Sequence, residues 1–222
     1  MSIAENLTKI KDSIPEGVKL VAVSKTKSNE EILEAYHSGQ KVFGENKAQE
    51  LTRKFDELPK DIEWHFIGHM QSNKVKYIAP FIKLMHGVDS KKLLKVINKE
   101  GRKNERVIPC LLQFHIADEE SKFGLTLEKA KAILNSEAYS NMENVRIIGV
   151  MGMSTFTDNE EKIRKEFKCL KNIYNTLKKE YFAESEEFRE ISMGMSDDYP
   201  IAIEEGSTMV RIGSKIFGAR NY

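Results

Sequence analysis

Cysteine is scarce in this 222-residue chain: there are only two, Cys110 and Cys169, far apart and in no CxxC pairing. That excludes a disulfide framework, and each thiol is expected to be free and buried. Net charge is nearly absent as well. The 35 basic side chains against 34 acidic ones leave +1, with histidine neutral. So even a balance gives no field to steer nucleic acid or an anionic membrane. Long apolar runs are missing, and none approaches the roughly 20 residues of a membrane span. The first residues, "MSIAENLTKIKDSIPEG", read as a polar amphipathic helix without the apolar centre of a secretory signal. A cytoplasmic protein with no nucleic-acid or membrane partner is expected. Glycine is missing from the turn after the first apolar run, "SKTKSNEE", where an open doubly wound sheet normally needs it. No linker or low-complexity stretch divides the chain, so residues 1–222 are expected to form one domain.

What is present is a regular alternation. Eight β-rich runs stand out: "KLVAVSKT", "QKVFGE", "EWHFIG", "KLMHGVD", "IPCLLQFHI", "VRIIGVMGM", "EISMGM" and "MVRIGSKIFG". Each is nearly continuously apolar, as in a strand covered on both faces. Helical segments separate them. In "NEEKIRKEFKCLKNIYNTLKKEYF", Ile163, Phe167, Leu170, Tyr174, Leu177 and Tyr181 recur at steps of three or four. "SDDYPIAIEEGS" has Ser196 as a cap, two aspartates in the first turn and Gly206 as its stop. Eight such runs with helical connections predict an α/β fold, a single (β/α)8 TIM barrel. The helix before the first strand is extra and is expected to cover part of the barrel.

Barrel enzymes carry their sites at the carboxyl ends of the strands. There the first run offers Lys25, on the parity of Val21 and Val23. If that face points inward, the ammonium is partly desolvated, and a neutral lysine forms a Schiff base with an aldehyde. Otherwise Lys25 snorkels into water past the strand end. After the seventh and eighth runs come "SMGMS" and "RIGS", each with a glycine for close backbone approach and a serine hydroxyl. Barrels recurrently bind phosphate at these two loops. Asp197 and Asp198 are expected to face solvent there. A lysine opposite a phosphate cup implies a phosphorylated aldehyde, of which pyridoxal 5′-phosphate is the common one. Arg211 then has two readings: a donor facing the pyridine nitrogen, or an ion pair with a carboxylate such as Glu45. Of His65, His69, His86 and His115, only His65 and His69 lie at a plausible helical spacing, and their segment starts as a strand, so no metal site is expected. Met151, Met153, Met193 and Met195 cluster near strand ends, and Trp64 is expected beneath the site.

The segments "VAVSKTKS", "FGENKAQE", "WHFIGHMQSNK", "ESKFGL" and "SMGMSDDYPIAIEEGSTMVRIGSKIFGARNY" together resemble the pyridoxal phosphate homeostasis protein family, barrels similar to the N-terminal domain of alanine racemase. The resemblance runs from about Val21 to Tyr222. It implies one pyridoxal phosphate-binding domain with Lys25 as the Schiff-base lysine. It further implies a phosphate cup of Ser192, Met195, Ser196, Gly213 and Ser214, with Arg211 facing the pyridine ring and Asn46 and His65 near it. Departures include His69-Met70 after "WHFIG" and Lys47-Ala48 after "FGEN". The implied role is vitamin B6 homeostasis, meaning binding, buffering and delivery of the cofactor without robust catalysis and with no catalytic residues assigned. A small fold-type III enzyme, such as an amino-acid racemase, is the alternative. Fold-type III racemases place a second domain after the barrel. A chain ending at Tyr222 is expected to lack it, to leave the cofactor face open, and to be a monomer touching apo-enzymes only transiently.

Overall fold

The computed structural model describes residues 2–118 and 123–218. The Glu120-Ser121-Lys122 part of "ESKFGL" and the closing "ARNY" lie outside the described residues. Eight parallel strands close into a barrel in sequence order: β1 (Lys19–Val23), β2 (Val42–Glu45), β3 (Glu63–Phe66), β4 (Leu84–Val88), β5 (Ile108–Gln113), β6 (Val145–Met151), β7 (Glu190–Ser192) and β8 (Met209–Ile212). Closure is made by β1 against β8, with Lys19 opposite Met209 and Val21 opposite Arg211. The architecture is the expected TIM barrel. Every expected run holds a strand, each shorter than its run.

The alternation of side chains sorts the residues into two layers. Val21, Leu84, Leu111, Met151 and Met209 point inward and fill the barrel interior. Leu20, Ala22, Phe43, Trp64, Phe66 and Leu112 point outward against the helices. Trp64 therefore belongs to the outer layer, beside Phe43 at 5.9 Å between ring centroids, and not under the mouth. Where β6 meets β7, a Cβ on Gly149 would fall 1.9 Å from the Glu190 carbonyl oxygen, so only glycine lets the two backbones pair there.

The helices are α1 (Ile3–Asp12), α2 (Asn29–His37), α3 (Ala48–Glu57), α4 (Val75–Ile78), α5 (Lys91–Lys103), α6 (Leu127–Leu134), α7 (Glu137–Ser140), α8 (Glu160–Tyr181), α9 (Tyr199–Glu204) and α10 (Ser214–Phe217). Capping boxes start α1 (Ser2 with Glu5) and α2 (Ser28 with Glu31). The apolar stripe of α8 buries Ile163, Phe167, Leu170 and Leu177, each stabilising by about 1.5–3 kcal/mol. Cys169 lies off this stripe and is exposed, contrary to expectation, whereas Cys110 is buried on β5. One boundary differs from the sequence reading. The last apolar run does not stay extended: β8 stops at Ile212, and "SKIF" turns into α10. At four residues α10 makes a short outer wall, and the extra helix α1 packs against both it and α2, with Asn6 Nδ2 donating to the Ile216 carbonyl at 3.1 Å. Among the described residues no helix is long and apolar enough to cross a membrane.

Candidate functional site

The carboxyl ends of the strands open onto a cavity of about 420 Å³. Lys25, Asn46, Met195, Ser196, Arg211, Gly213 and Ser214 line it. These residues lie at or just past the carboxyl ends of β1, β2, β7 and β8, so closure of the barrel is what brings them together. Lys25 sits two residues past β1, half-buried on the cavity wall above Val23.

Arg211, the inward residue of β8, is 4% exposed. Its Nη1 donates to Ser192 Oγ at 2.6 Å and its Nη2 to the Gly152 carbonyl at 3.0 Å. The ion pair with Glu45 does not occur. Glu45 points outward from β2 to Lys54, at 2.7 Å, and both side chains are fully buried. Burial lowers the Arg211 pKa to about 10, with the charge of Asp198 opposing the shift. The guanidinium is thus still a cation at neutral pH, lining a cavity with no carboxylate in ion-pair contact among the described residues.

His65 and Ser192 do not line the cavity. They lie in the barrel interior, 1% and 0% exposed. A polar column connects them to the site: His65 Nδ1 is 3.0 Å from His86 Nε2, and His86 Nδ1 is 3.0 Å from Ser192 Oγ. Arg211 donates into the serine oxygen, which leaves the serine hydroxyl hydrogen to be directed at His86. Burial holds both imidazoles neutral, His65 with a pKa lowered to about 3 and His86 well below its ordinary value.

The two glycine-serine segments meet across the β7–β8 end, where Gly213 N–H donates to Ser196 Oγ at 3.3 Å. Gly194, at φ +95, makes the turn within the first of them, and a Cβ there would fall 2.6 Å from Ala202 Cβ. Asp197 is exposed, as expected, but Asp198 is buried. The reason is that α9 begins at Tyr199 and not after Ser196. Asp198 holds the N-cap position at φ −120 without capping. Its carboxylate folds back instead, accepting from Met195 N–H and from Ser154 Oγ, each at 2.5 Å.

The alanine racemase N-terminal domain family matches residues 1–221. A pyridoxal phosphate homeostasis protein from Aquifex aeolicus is 40% identical over 92% of this chain and 88% of its own length. This chain belongs to the pyridoxal phosphate homeostasis protein family. A homeostasis protein of Escherichia coli K12 is 35% identical over 99% of this chain and 97% of its own. PipY of Synechococcus elongatus has been solved without and with pyridoxal phosphate bound. The two structures match with TM-scores of 0.91 and 0.88 at 32% and 31% identity, over 98% of this chain and 100% of theirs. An alanine racemase from Clostridium difficile shares the fold alone, at 14% identity and a TM-score of 0.76, with 60% of its chain covered.

In this member of the homeostasis protein family, the cavity also takes residues the sequence reading missed. Gln113 ends β5 on the inward parity of Leu111, a signal that was legible. Lys27 lines the wall and donates to the Phe217 carbonyl at 2.9 Å and to Glu31 at 3.1 Å. The rim is aromatic: Phe156 and Phe123 are exposed, and His69 stacks on Phe123 with centroids 4.1 Å apart. Of the four methionines, Met153 and Met195 line the cavity, Met151 fills the interior, and Met193 packs outward.

Proposed function

We propose that this chain binds pyridoxal 5′-phosphate in the cavity, joined to Lys25 as a Schiff base, and serves its homeostasis by buffering and delivery. The observation that carries the reading is the cavity's donor set. A lysine on one wall, a buried protonated arginine on the floor and two serine-bearing turns at one end suit a small molecule with an aldehyde, an unprotonated ring nitrogen and an anionic tail. When bound, the cofactor supplies that aldehyde and a ring able to withdraw electrons from an attached amino acid.

The chain's residues would divide the work. Lys25 holds the aldehyde end. Ser196, Gly213 and Ser214 hold the phosphate end, and Asp198 keeps the Met195 loop in place by taking its N–H. Arg211 offers only N–H donors, so an acceptor facing it stays unprotonated. A ring nitrogen without a proton stabilises developing negative charge poorly, which favours holding the cofactor over turning it over. The neutral column of His86 and His65 beneath supplies no charge to alter that balance. The chain acts as a monomer in the cytoplasm and passes its cargo to apo-enzymes by transient contact.

The test is to titrate apo-protein with pyridoxal phosphate and follow the yellow absorbance. It should saturate at one equivalent and vanish in Lys25→Ala. Loaded protein given L-alanine should not accumulate the D-enantiomer. Steady racemisation at an enzyme-like rate would favour a small fold-type III enzyme instead.

A further inference from the structure

Lys54, on α3, is buried completely, and its ammonium is committed to three oxygens. It donates to the Ser24 carbonyl at 2.8 Å, to Glu45 Oε1 at 2.7 Å and to Glu50 Oε1 at 2.7 Å. Glu50 Oε1 also accepts the Thr26 N–H at 2.9 Å. Glu45 Oε1 takes the Ser24 hydroxyl at 2.6 Å, while Glu45 Oε2 is buried with no hydrogen bond. A buried network with an unpaired oxygen is a poor way to gain stability, since apolar side chains of similar volume usually do as well or better.

Its contacts converge on one place. Ser24 and Thr26 are the residues on either side of Lys25. The Lys27 N–H donates to the Ser24 carbonyl at 3.0 Å, so Ser24 to Lys27 form a turn with Lys25 at its second position. Thr26, at the third, has φ +65. Glycine is the usual occupant of a turn position with positive φ, and a β-branched residue stays there only when its surroundings hold it. Here the holding atoms are the Glu50 carboxylate on Thr26 and the Lys54 ammonium on Ser24.

We propose that Lys54, acting with Glu50, is a positioning residue for Lys25, clamping the turn on either side of it so that the Lys25 amine is aimed across the cavity. The inference rests on Lys25 being the attachment point. Attachment joins Lys25 Nζ to the aldehyde carbon and releases the aldehyde oxygen as water with the two amine protons. Its rate depends on where the amine points, and misplacement by about 1 Å can cost on the order of a hundredfold.

Two measurements separate aim from binding. Attachment is followed by quenching mixtures with borohydride at intervals and quantifying the reduced adduct on the Lys25 peptide. Binding without attachment is measured with pyridoxine 5′-phosphate, the alcohol counterpart, which cannot condense. Glu50→Ala should slow attachment by about tenfold or more, with the alcohol's affinity unchanged. Glu50→Gln, which keeps an acceptor for Thr26 N–H, should recover most of the rate. Lys54→Met should slow attachment at least as much as Glu50→Ala. If Lys54→Met fails to fold, the Glu50 pair decides. Attachment by Glu50→Ala at the wild-type rate would overturn the proposal. So would Glu50→Gln as slow as Glu50→Ala, or a loss of alcohol affinity in step with the rate. A wild-type protein with no adduct on Lys25 would instead sink the attachment point, and the positioning role with it.

Discussion

Acid should unfold this protein earlier than its carboxylates alone require, because two imidazoles are buried neutral in the barrel. His65 is lowered from 6.5 to about 3 and His86 well below 6.5, both by burial first, with nearby positive charge adding to it. In the unfolded chain both recover the ordinary value. The unfolded state therefore binds the extra protons, and stability present above pH 6.5 is lost as pH falls. At about 1.4 kcal/mol per pH unit below that value, His65 costs about 2 kcal/mol between pH 7 and pH 5, and His86 adds a loss of the same sign. The His65 share alone is a sizeable part of the stability of an ordinary domain. Glu45, raised by burial, works in the opposite direction, so a comparison of variants is cleaner than one curve. His65→Asn keeps a polar atom where Nδ1 meets His86 but does not titrate. Urea unfolding followed by circular dichroism at pH 7 and pH 5 gives the two stabilities. The loss on acidification should shrink by about 2 kcal/mol in His65→Asn. An equal loss in wild type and variant would refute the claim that His65 is held neutral.

Ser192→Ala removes the acceptor of Arg211 Nη1 and the partner of His86 Nδ1, both inside the barrel. It should cost about 2–4 kcal/mol and lower Tm by about 5–10 °C; an unchanged Tm would show that the polar column contributes nothing to stability. A thiol reagent should label Cys169 quickly in the native protein and Cys110 only on unfolding, since burial pushes the Cys110 thiol up and hides it. Two fast thiols would contradict the placement of β5.

The barrel was legible because parallel strands covered on both faces write themselves as apolar runs, and eight of them appear in order. The site was legible where parity and barrel position sufficed: Lys25 above Val23, Arg211 inward on β8, and the two glycine-serine turns. What failed was local competition between geometries. "SKIF" reads as strand by composition, yet the backbone turns helical at Ser214. Asp198 reads as a first-turn acid facing water, but α9 starts only at Tyr199 and the carboxylate folds back onto Met195 N–H. Arg211 and Glu45 share the carboxyl ends of their strands, and parity alone separates them, one inward and one outward. The Lys54 network had a signal that sequence reading passed over. A lysine three residues after Leu51 on the apolar stripe of α3, with Glu50 four residues before it, is a charge on a buried face. His86 pairing with His65 needed the register of β3 against β4, which no single run encodes.

The central claim is that Lys25 is where the cofactor is held. Purified protein loaded with pyridoxal phosphate, reduced with borohydride, digested and mapped by mass spectrometry should carry the cofactor's mass on the peptide containing Lys25, at one equivalent. A reduced adduct on Lys27 or another lysine in its place, or none at all, would contradict the account.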